Sequence, residues 1–171
     1  MLPSMRRSLL LSAICIFILA WLSAGCYESE FPLDSEPQAD LAAGLPGAWH
    51  CVTSDPGDRD LTLTIERTRD RVYAVTLREF GQEPDQYEAH TSMVGGVAVV
   101  NLRNLKPSSN PWVFVRYSLL QSKVLQLQVV DDKAMKGVDP SPAVVRQFIE
   151  QRMKDAALFA DVCTCVRMNE K

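Results

Sequence analysis

The sequence predicts a mainly β protein, in which an antiparallel meander of eight strands closes into a small barrel with one α-helix before the last strand. Three observations favour this fold class. Beyond residue 45 apolar residues recur mostly at every second position, turn residues interrupt them at regular intervals, and a single stretch has a helical period instead. The alternative compatible with the same pattern is an open, strongly curved antiparallel sheet packed on the helix.

The strands are predicted from alternation between apolar and polar side chains. The clearest case places Leu61, Leu63 and Ile65 on one face and Thr62 and Thr64 on the other, as expected for a strand with one wet face. The predicted strands cover residues 48–54, 61–68, 72–80, 87–94, 97–104, 112–120, 123–131 and 162–168.

Short turns between these strands predict that sequential neighbours pair. Residues 69–71, 95–96 and 121–122 are short enough for hairpin turns. Gly95 and Gly96 also supply the positive φ angles that tight two-residue loops need.

The exception to the β pattern is residues 141–157. Ser141 can cap a helix and Pro142 suits its first turn. The apolar residues then fall on one side of a helix, which predicts an amphipathic element packed on the sheet. They are Val145, Phe148, Ile149, Met153 and Ala156.

The first 25 residues have the three parts of a signal peptide. Arg6 and Arg7 form a basic start, an apolar core follows, and small residues precede Cys26. The segment Leu-Ser-Ala-Gly-Cys resembles the lipobox of bacterial lipoproteins, in which cleavage falls between Gly25 and Cys26 and the Cys26 thiol carries a diacylglycerol. The alternative is an uncleaved membrane anchor, since residues 8–25 give 18 uncharged residues.

Residues 26–45 are expected to be a lipidated cysteine followed by an acidic, flexible tether. From residue 27 onward this segment holds five acids, no basic residue and two prolines, with little apolar periodicity. The expected organisation is a signal peptide at 1–25, the tether at 26–45 and the β domain at 46–171. In a cell with two membranes, Tyr27 rather than aspartate after Cys26 resembles the outer-membrane sorting signal, which implies an outer-membrane anchor facing the periplasm.

Composition and charge exclude some classes of function. The formal net charge is −3, and it becomes −5 once Arg6 and Arg7 leave with the leader, so a nucleic-acid partner is not expected. The sequence contains no Gly-x-Ser-x-Gly, no metal-binding histidine pair and no glycine-rich phosphate loop. We therefore expect a protein that is not an enzyme and that needs no cofactor.

The domain resembles the lipocalin-like, or calycin, barrels. The resemblance depends on the eight-strand order, the late helix and the Gly47-Ala48-Trp49 motif that opens the first strand. It implies that Trp49 lies at the closed end of the barrel and that a basic residue of the final strand, here Arg167, packs across its ring. The chain also resembles small envelope lipoproteins that have a lipobox, an acidic tether and this β meander.

The resemblance also implies a pairing for the domain cysteines. If Trp49 lies opposite Arg167, antiparallel pairing of the first and last strands places Cys51 opposite Cys165, and an oxidising compartment allows a disulfide there. Cys163 lies on the same face as Cys165 and is the alternative partner. Two other interpretations of these cysteines are unpaired buried thiols and a metal site formed with His50. A metal is not expected, because His50 points to the opposite face of the strand from Cys51.

Two functions remain open from the sequence. The first is a membrane-anchored envelope lipoprotein with a non-catalytic interaction or structural role, whose partners are membrane lipid at Cys26 and envelope proteins docking on loops such as residues 105–111. The alternative is a lipocalin-like carrier that binds a small apolar ligand inside the barrel. The inward side chains would include Leu63, Val75 and either Phe114 or Val115.

Overall fold

A computed structural model describes residues 25–54, 60–105 and 110–168 of the chain. The predicted leader up to residue 24 therefore lies outside the described residues, as does most of the 105–111 loop. The strands are β1 (Glu28–Ser29), β2 (Gly47–Thr53), β3 (Asp60–Arg69), β4 (Val72–Glu79), β5 (Asp85–Val94), β6 (Val97–Asn104), β7 (Trp112–Leu120), β8 (Val124–Val130) and β9 (Phe159–Arg167). The α-helix is α1 (Pro142–Gln151), and a short 3-10 helix (Ala156–Leu158) follows it.

Strands β2 to β9 form a closed antiparallel barrel. Each strand pairs with the next one along the chain, and β9 returns to pair with β2. In this closing pair Trp49 lies opposite Arg167 and Cys51 lies opposite Cys165. The predicted meander barrel is therefore confirmed, and the open-sheet alternative is wrong.

The predicted tight turns are present at the hairpin ends. Gly95 and Gly96 have φ angles of 57° and 80°, so glycine meets the demand of a turn with two positive φ values. Gln121 and Ser122 adopt φ angles of 49° and 54° in the turn between β7 and β8. These turns join neighbouring strands without a crossover, which fixes the meander order.

The barrel interior is built from the alternating apolar residues. Leu61, Leu63 and Ile65 are 8%, 2% and 5% exposed and belong to a single core cluster with inward residues of the other barrel strands. Val75 and Val115 belong to the same cluster. Phe114 does not, because it lies on the outer face of β7 with its neighbour Val115 facing inward.

A second core lies outside the barrel, under helix α1. Val145 and Ile149 of the helix are buried against residues that face outward from the sheet, including Val99 and Phe114. The helix therefore covers the outside of the barrel wall, and its buried residues Val145 and Ile149 lie outside the barrel core.

The helix is shorter than predicted, and the last strand begins earlier. Arg152 follows the helix and pairs with Asp155 through a short ion pair, while the Asp155 side chain accepts a hydrogen bond from the Ala157 backbone N–H. This side-chain cap starts the 3-10 turn. β9 then begins at Phe159 rather than at residue 162.

Residues 25–45, which we call the N-terminal strap, differ from the expected solvated tether. Leu33, Leu41 and Leu45 are only 5%, 5% and 3% exposed. The Gln38 N–H donates to the Thr91 carbonyl at 2.8 Å. The strap therefore lies against the barrel as an ordered part of the fold.

The start of the strap fills a gap in the barrel wall. Strands β7 and β8 pair only from Val115 opposite Val129 to their shared turn. Where the two strands part, β1 pairs with β7, with Glu28 opposite Val113, and Cys26 forms a bridge with Asp131 after β8. The strap thus enters between the two strands and uses backbone groups that would otherwise lie at open edges.

The strap leucines explain why the sequence pattern missed this packing. They are isolated in a segment of polar and small residues and prolines, so three leucines are too few to define a helix or strand pattern. They are buried in two parts of the fold, since Leu33 belongs to the outer core and Leu41 and Leu45 belong to the barrel core. Burying a leucine is worth roughly 1.5–3 kcal/mol, and this favours an ordered strap.

Within the described ranges, no helix has the length and apolar character needed to cross a membrane.

Candidate anchoring site and barrel seam

Cys26 lies exposed at one end of the barrel. The backbone on both sides of it is held, because the Tyr27 N–H donates to the Val130 carbonyl at 2.9 Å and the Asp132 N–H donates to the Gly25 carbonyl at 3.1 Å. The cysteine is therefore presented to solvent from a fixed backbone. A thiol placed in this way is accessible for covalent modification.

The strand directions define which loops share the end that carries Cys26. Strands β2, β4, β6 and β8 run in the same direction in an antiparallel meander, so all four finish at one end. Cys26 bridges Asp131, the residue after β8, and therefore lies at this end. We call it the anchor end, and we call the opposite end, where β2 begins and β9 finishes, the closed end.

Several inward side chains near the anchor end are only partly buried. Leu77, Leu102 and Val113 face inward and pack on the barrel core but remain partly exposed, as does Tyr87. The pKa of Tyr87 is raised, first by burial and then by the nearby Asp85 and Cys26. These inward side chains are mostly apolar, and Tyr87 among them lies close to Cys26.

The closed end is sealed around Trp49, where the lipocalin resemblance places it. The indole is fully buried and its Nε1–H donates to the Leu45 carbonyl at 3.0 Å. The Arg167 guanidinium carbon lies 4.6 Å from the centroid of the Trp49 ring. Arg167 also donates to the carbonyls of Gly44, Pro46 and Ser122, which ties the last strand to the end of the strap.

Gly47 is required by this arrangement on two grounds. Its φ angle is +132°, a backbone conformation that residues other than glycine rarely adopt. A Cβ at this position would also lie 2.6 Å from Nη1 of Arg167. The Gly-x-Trp spacing therefore has a physical reason: the glycine leaves room for the arginine that covers the tryptophan.

The predicted disulfide between Cys51 and Cys165 is present at the seam between β2 and β9. Both half-cystines are fully buried and face the barrel interior. The bond joins residues 114 apart in the sequence, so it closes nearly the whole barrel into one covalent loop. It cross-links the two strands whose pairing closes the meander.

Cys163 is the buried thiol next to this bond. Its sulfur lies 3.7 Å from the sulfur of Cys165, and burial raises its pKa to about 11. The three sulfurs of Cys51, Cys163 and Cys165 lie within 4.8 Å of one another. With two of them joined to each other, a single thiol remains, and His50 instead faces Asp60 across 3.6 Å on the outer surface.

Sequence reasoning missed a polar network under the strap. Asn101 is fully buried; its Oδ1 accepts from the Leu33 N–H at 2.8 Å and its Nδ2 donates to Ser92 Oγ at 2.8 Å. His90 is 5% exposed, and its Nε2 lies 2.8 Å from the Asp34 carbonyl oxygen. The available signal was an asparagine in the middle of the apolar strand β6.

An ion pair closes this network against the helix. Nη1 of Arg146 on α1 lies 2.7 Å from the Asp34 carboxylate, while Nη2 donates to the Met93 carbonyl at 2.7 Å. The strap is therefore held by the sheet on one side and by the helix on the other.

Comparisons of the chain with models of protein families, with curated proteins and with solved structures gave no match. The closed eight-stranded barrel is compatible with a lipocalin-like fold.

Proposed function

We propose that this protein is a bacterial envelope lipoprotein, anchored by lipid on Cys26, whose barrel has a non-catalytic interaction or structural role. The observation that carries the proposal is the placement of Cys26. It follows a sequence that resembles a lipobox, and it is exposed on a backbone fixed to the barrel. Two or more acyl chains on one residue give a stable anchor, because each buried methylene contributes about 0.8 kcal/mol.

The packing of the closed end favours a scaffold over an enzyme. Trp49, Leu125 and the Cys51–Cys165 bond are fully buried in the barrel interior. Small eight-stranded barrels can be filled by side chains in this way. We therefore expect the outer surface and loops to make the functional contacts, with partners in the envelope. Tyr27 after Cys26 favours sorting to the outer membrane, facing the periplasm.

Membrane fractionation of two cysteine variants tests the anchor. Cys26→Ala removes the acylated thiol, whereas Cys163→Ala removes a buried thiol and serves as the matched control. We expect the control to stay in the membrane fraction after a high-salt wash and the Cys26→Ala protein to lose the acyl-dependent attachment. If the wild-type and Cys26→Ala proteins both remain membrane-bound and the N-terminal peptides of both still contain the leader, the apolar leader itself is the anchor and the proposal fails.

The partly exposed mouth at the anchor end favours a second candidate, a carrier of a small apolar ligand. The inward residues Leu77, Leu102 and Val113 offer an apolar surface there. Native mass spectrometry of the mature protein, released from membranes in detergent, distinguishes the two candidates. A co-purified small molecule that is lost in a Leu102→Arg variant supports the carrier, whereas an unliganded mass together with captured envelope proteins supports the scaffold.

A further inference from the structure

The anchor end carries a fully exposed aromatic side chain. Phe80 lies in the turn between β4 and β5 and is 100% exposed. Leu105, directly after β6, is 47% exposed. Isolated exposed apolar residues are common on soluble proteins, so the position of Phe80 relative to Cys26 decides whether it matters.

Both exposed residues share an end of the barrel with the anchor cysteine. β4 and β6 finish at the same end as β8, and Cys26 bridges the residue that follows β8. Phe80, Leu105 and Cys26 thus project from one end, whereas Leu120, the last residue of β7, is exposed at the other end together with Val97 and Met168.

Only a short stretch of chain connects Cys26 to the barrel. Glu28 is already paired with Val113 of β7, two residues after Cys26. At about 3.3–3.6 Å per residue, the acylated residue lies within roughly 7 Å of the barrel wall. A long flexible tether would let the domain rotate freely above the membrane, but this short connection restricts which end faces the lipid.

We propose that the anchor end of the barrel lies directly against the bilayer and that Phe80 enters the interfacial region of the membrane, with Leu105 beside it. The inference rests on the proposed acylation of Cys26 and adds an orientation and a lipid-contacting surface to it. Phe and Leu side chains gain free energy when they leave water for the boundary between headgroups and acyl chains, as they do on the apolar face of interfacial helices.

Acidic side chains at the same end limit how deeply it can enter. Burying a carboxylate in hydrocarbon is costly, so the acidic side chains stay at headgroup level while the Phe80 ring passes them. The acidic side chains at or near this end are Glu28, Glu30, Asp60, Glu79, Glu83, Asp85, Asp131 and Asp132. The contact is therefore shallow.

Quenching by brominated lipids tests this orientation. Phe80→Trp and Leu120→Trp each add one indole to the full lipidated protein, at the anchor end and the closed end respectively. Each variant is reconstituted in zwitterionic phosphatidylcholine vesicles with bromines near the top of the acyl chains. The wild-type signal from the native tryptophans is subtracted.

We expect the added indole of Phe80→Trp to be quenched several-fold more than that of Leu120→Trp and to shift its emission to shorter wavelength. Equal quenching of the two added indoles overturns the proposal. So does an indole at position 80 that brominated lipid does not quench, whether it stays in water or is covered by a protein partner or by a second copy of the chain. The mass of the Cys26 peptide is measured on the same samples. A non-acylated peptide refutes the proposed function, whereas an acylated peptide with an unquenched indole refutes the orientation alone.

Discussion

Cys165 lies directly opposite Cys51 across the seam that closes the barrel, and the two sulfurs are bonded. The barrel is a meander, so only the pairing of its first and last strands joins distant parts of the chain. The disulfide holds this pairing from inside the core, and Arg167 over Trp49 holds it at the closed end. Stability of the fold should therefore depend strongly on a few residues at the seam.

Removing the disulfide should cost much more stability than removing the neighbouring thiol. In the chain-entropy model, a cross-link that closes a loop of this size contributes about 4–5 kcal/mol. We expect the Cys51→Ala/Cys165→Ala variant to unfold at a much lower urea concentration than the Cys163→Ala control. Equal midpoints for the two variants would mean that the bond contributes little to the fold.

The buried Cys163 thiol should make the free energy of unfolding depend on pH in the alkaline range. Burial raises its pKa from 9.0 to about 11 in the folded protein, so the folded state holds the proton more tightly than the unfolded state does. The contribution of this thiol to the free energy of unfolding is fully present below pH 9 and is lost as the pH rises from 9 towards 11. Urea midpoints measured across this window should fall more steeply for the wild-type chain than for Cys163→Ala. Parallel slopes would show that the thiol is not buried as described.

Gly47→Ala should destabilise the closed end more than a glycine substitution elsewhere. Position 47 has both a positive φ and an arginine nitrogen where the Cβ would lie, and together these predict a loss of about 2–4 kcal/mol. Gly137→Ala is the matched control, because Gly137 has a φ of +81° and open space around its Cα. Thermal unfolding should show the larger drop for Gly47→Ala. A larger drop for the control would remove the steric explanation of the Gly-x-Trp motif.

Asn101→Ala should loosen the strap. It leaves the Leu33 N–H and the Ser92 hydroxyl without their amide partner, and an unsatisfied buried polar group costs about 1–3 kcal/mol. We expect faster hydrogen exchange in residues 31–45, with little change in strands β2 to β4. Gln126→Ala removes an exposed amide from β8 and should leave the exchange of the strap unchanged. Unchanged protection in Asn101→Ala would mean that the leucines alone hold the strap.

The strand order of the barrel was predictable because it depends on short-range features of the sequence. Alternation and turn residues fix each strand and its neighbour, so the barrel order follows without long-range data. The strap was not predictable in this way, because Leu33, Leu41 and Leu45 are isolated apolar residues in a polar segment and are buried in two different cores of the distant β domain. His90 and Asn101 were hidden for a related reason: polar residues within a strand indicate a wet face unless another segment covers them.

The bilayer contact should depend on lipid charge. Since carboxylates outnumber basic side chains such as Arg78 and Lys133 at the anchor end, anionic vesicles should repel this end at low ionic strength. Quenching of the Phe80→Trp indole should therefore be weaker in phosphatidylglycerol vesicles than in phosphatidylcholine vesicles, and salt should reduce the difference, because the Debye length shortens to about 10 Å at 0.1 M. Stronger quenching in anionic vesicles would contradict the electrostatic part of the account.

The most direct measurement is the mass of the N-terminal peptide of the protein extracted from bacterial membranes. We expect a chain that begins at Cys26, with the mass of a diacylglyceryl group on the thiol, and the same modification in the Cys163→Ala protein. A peptide that retains the leader and carries an unmodified Cys26 would show that the protein is not a lipoprotein, whatever the barrel binds.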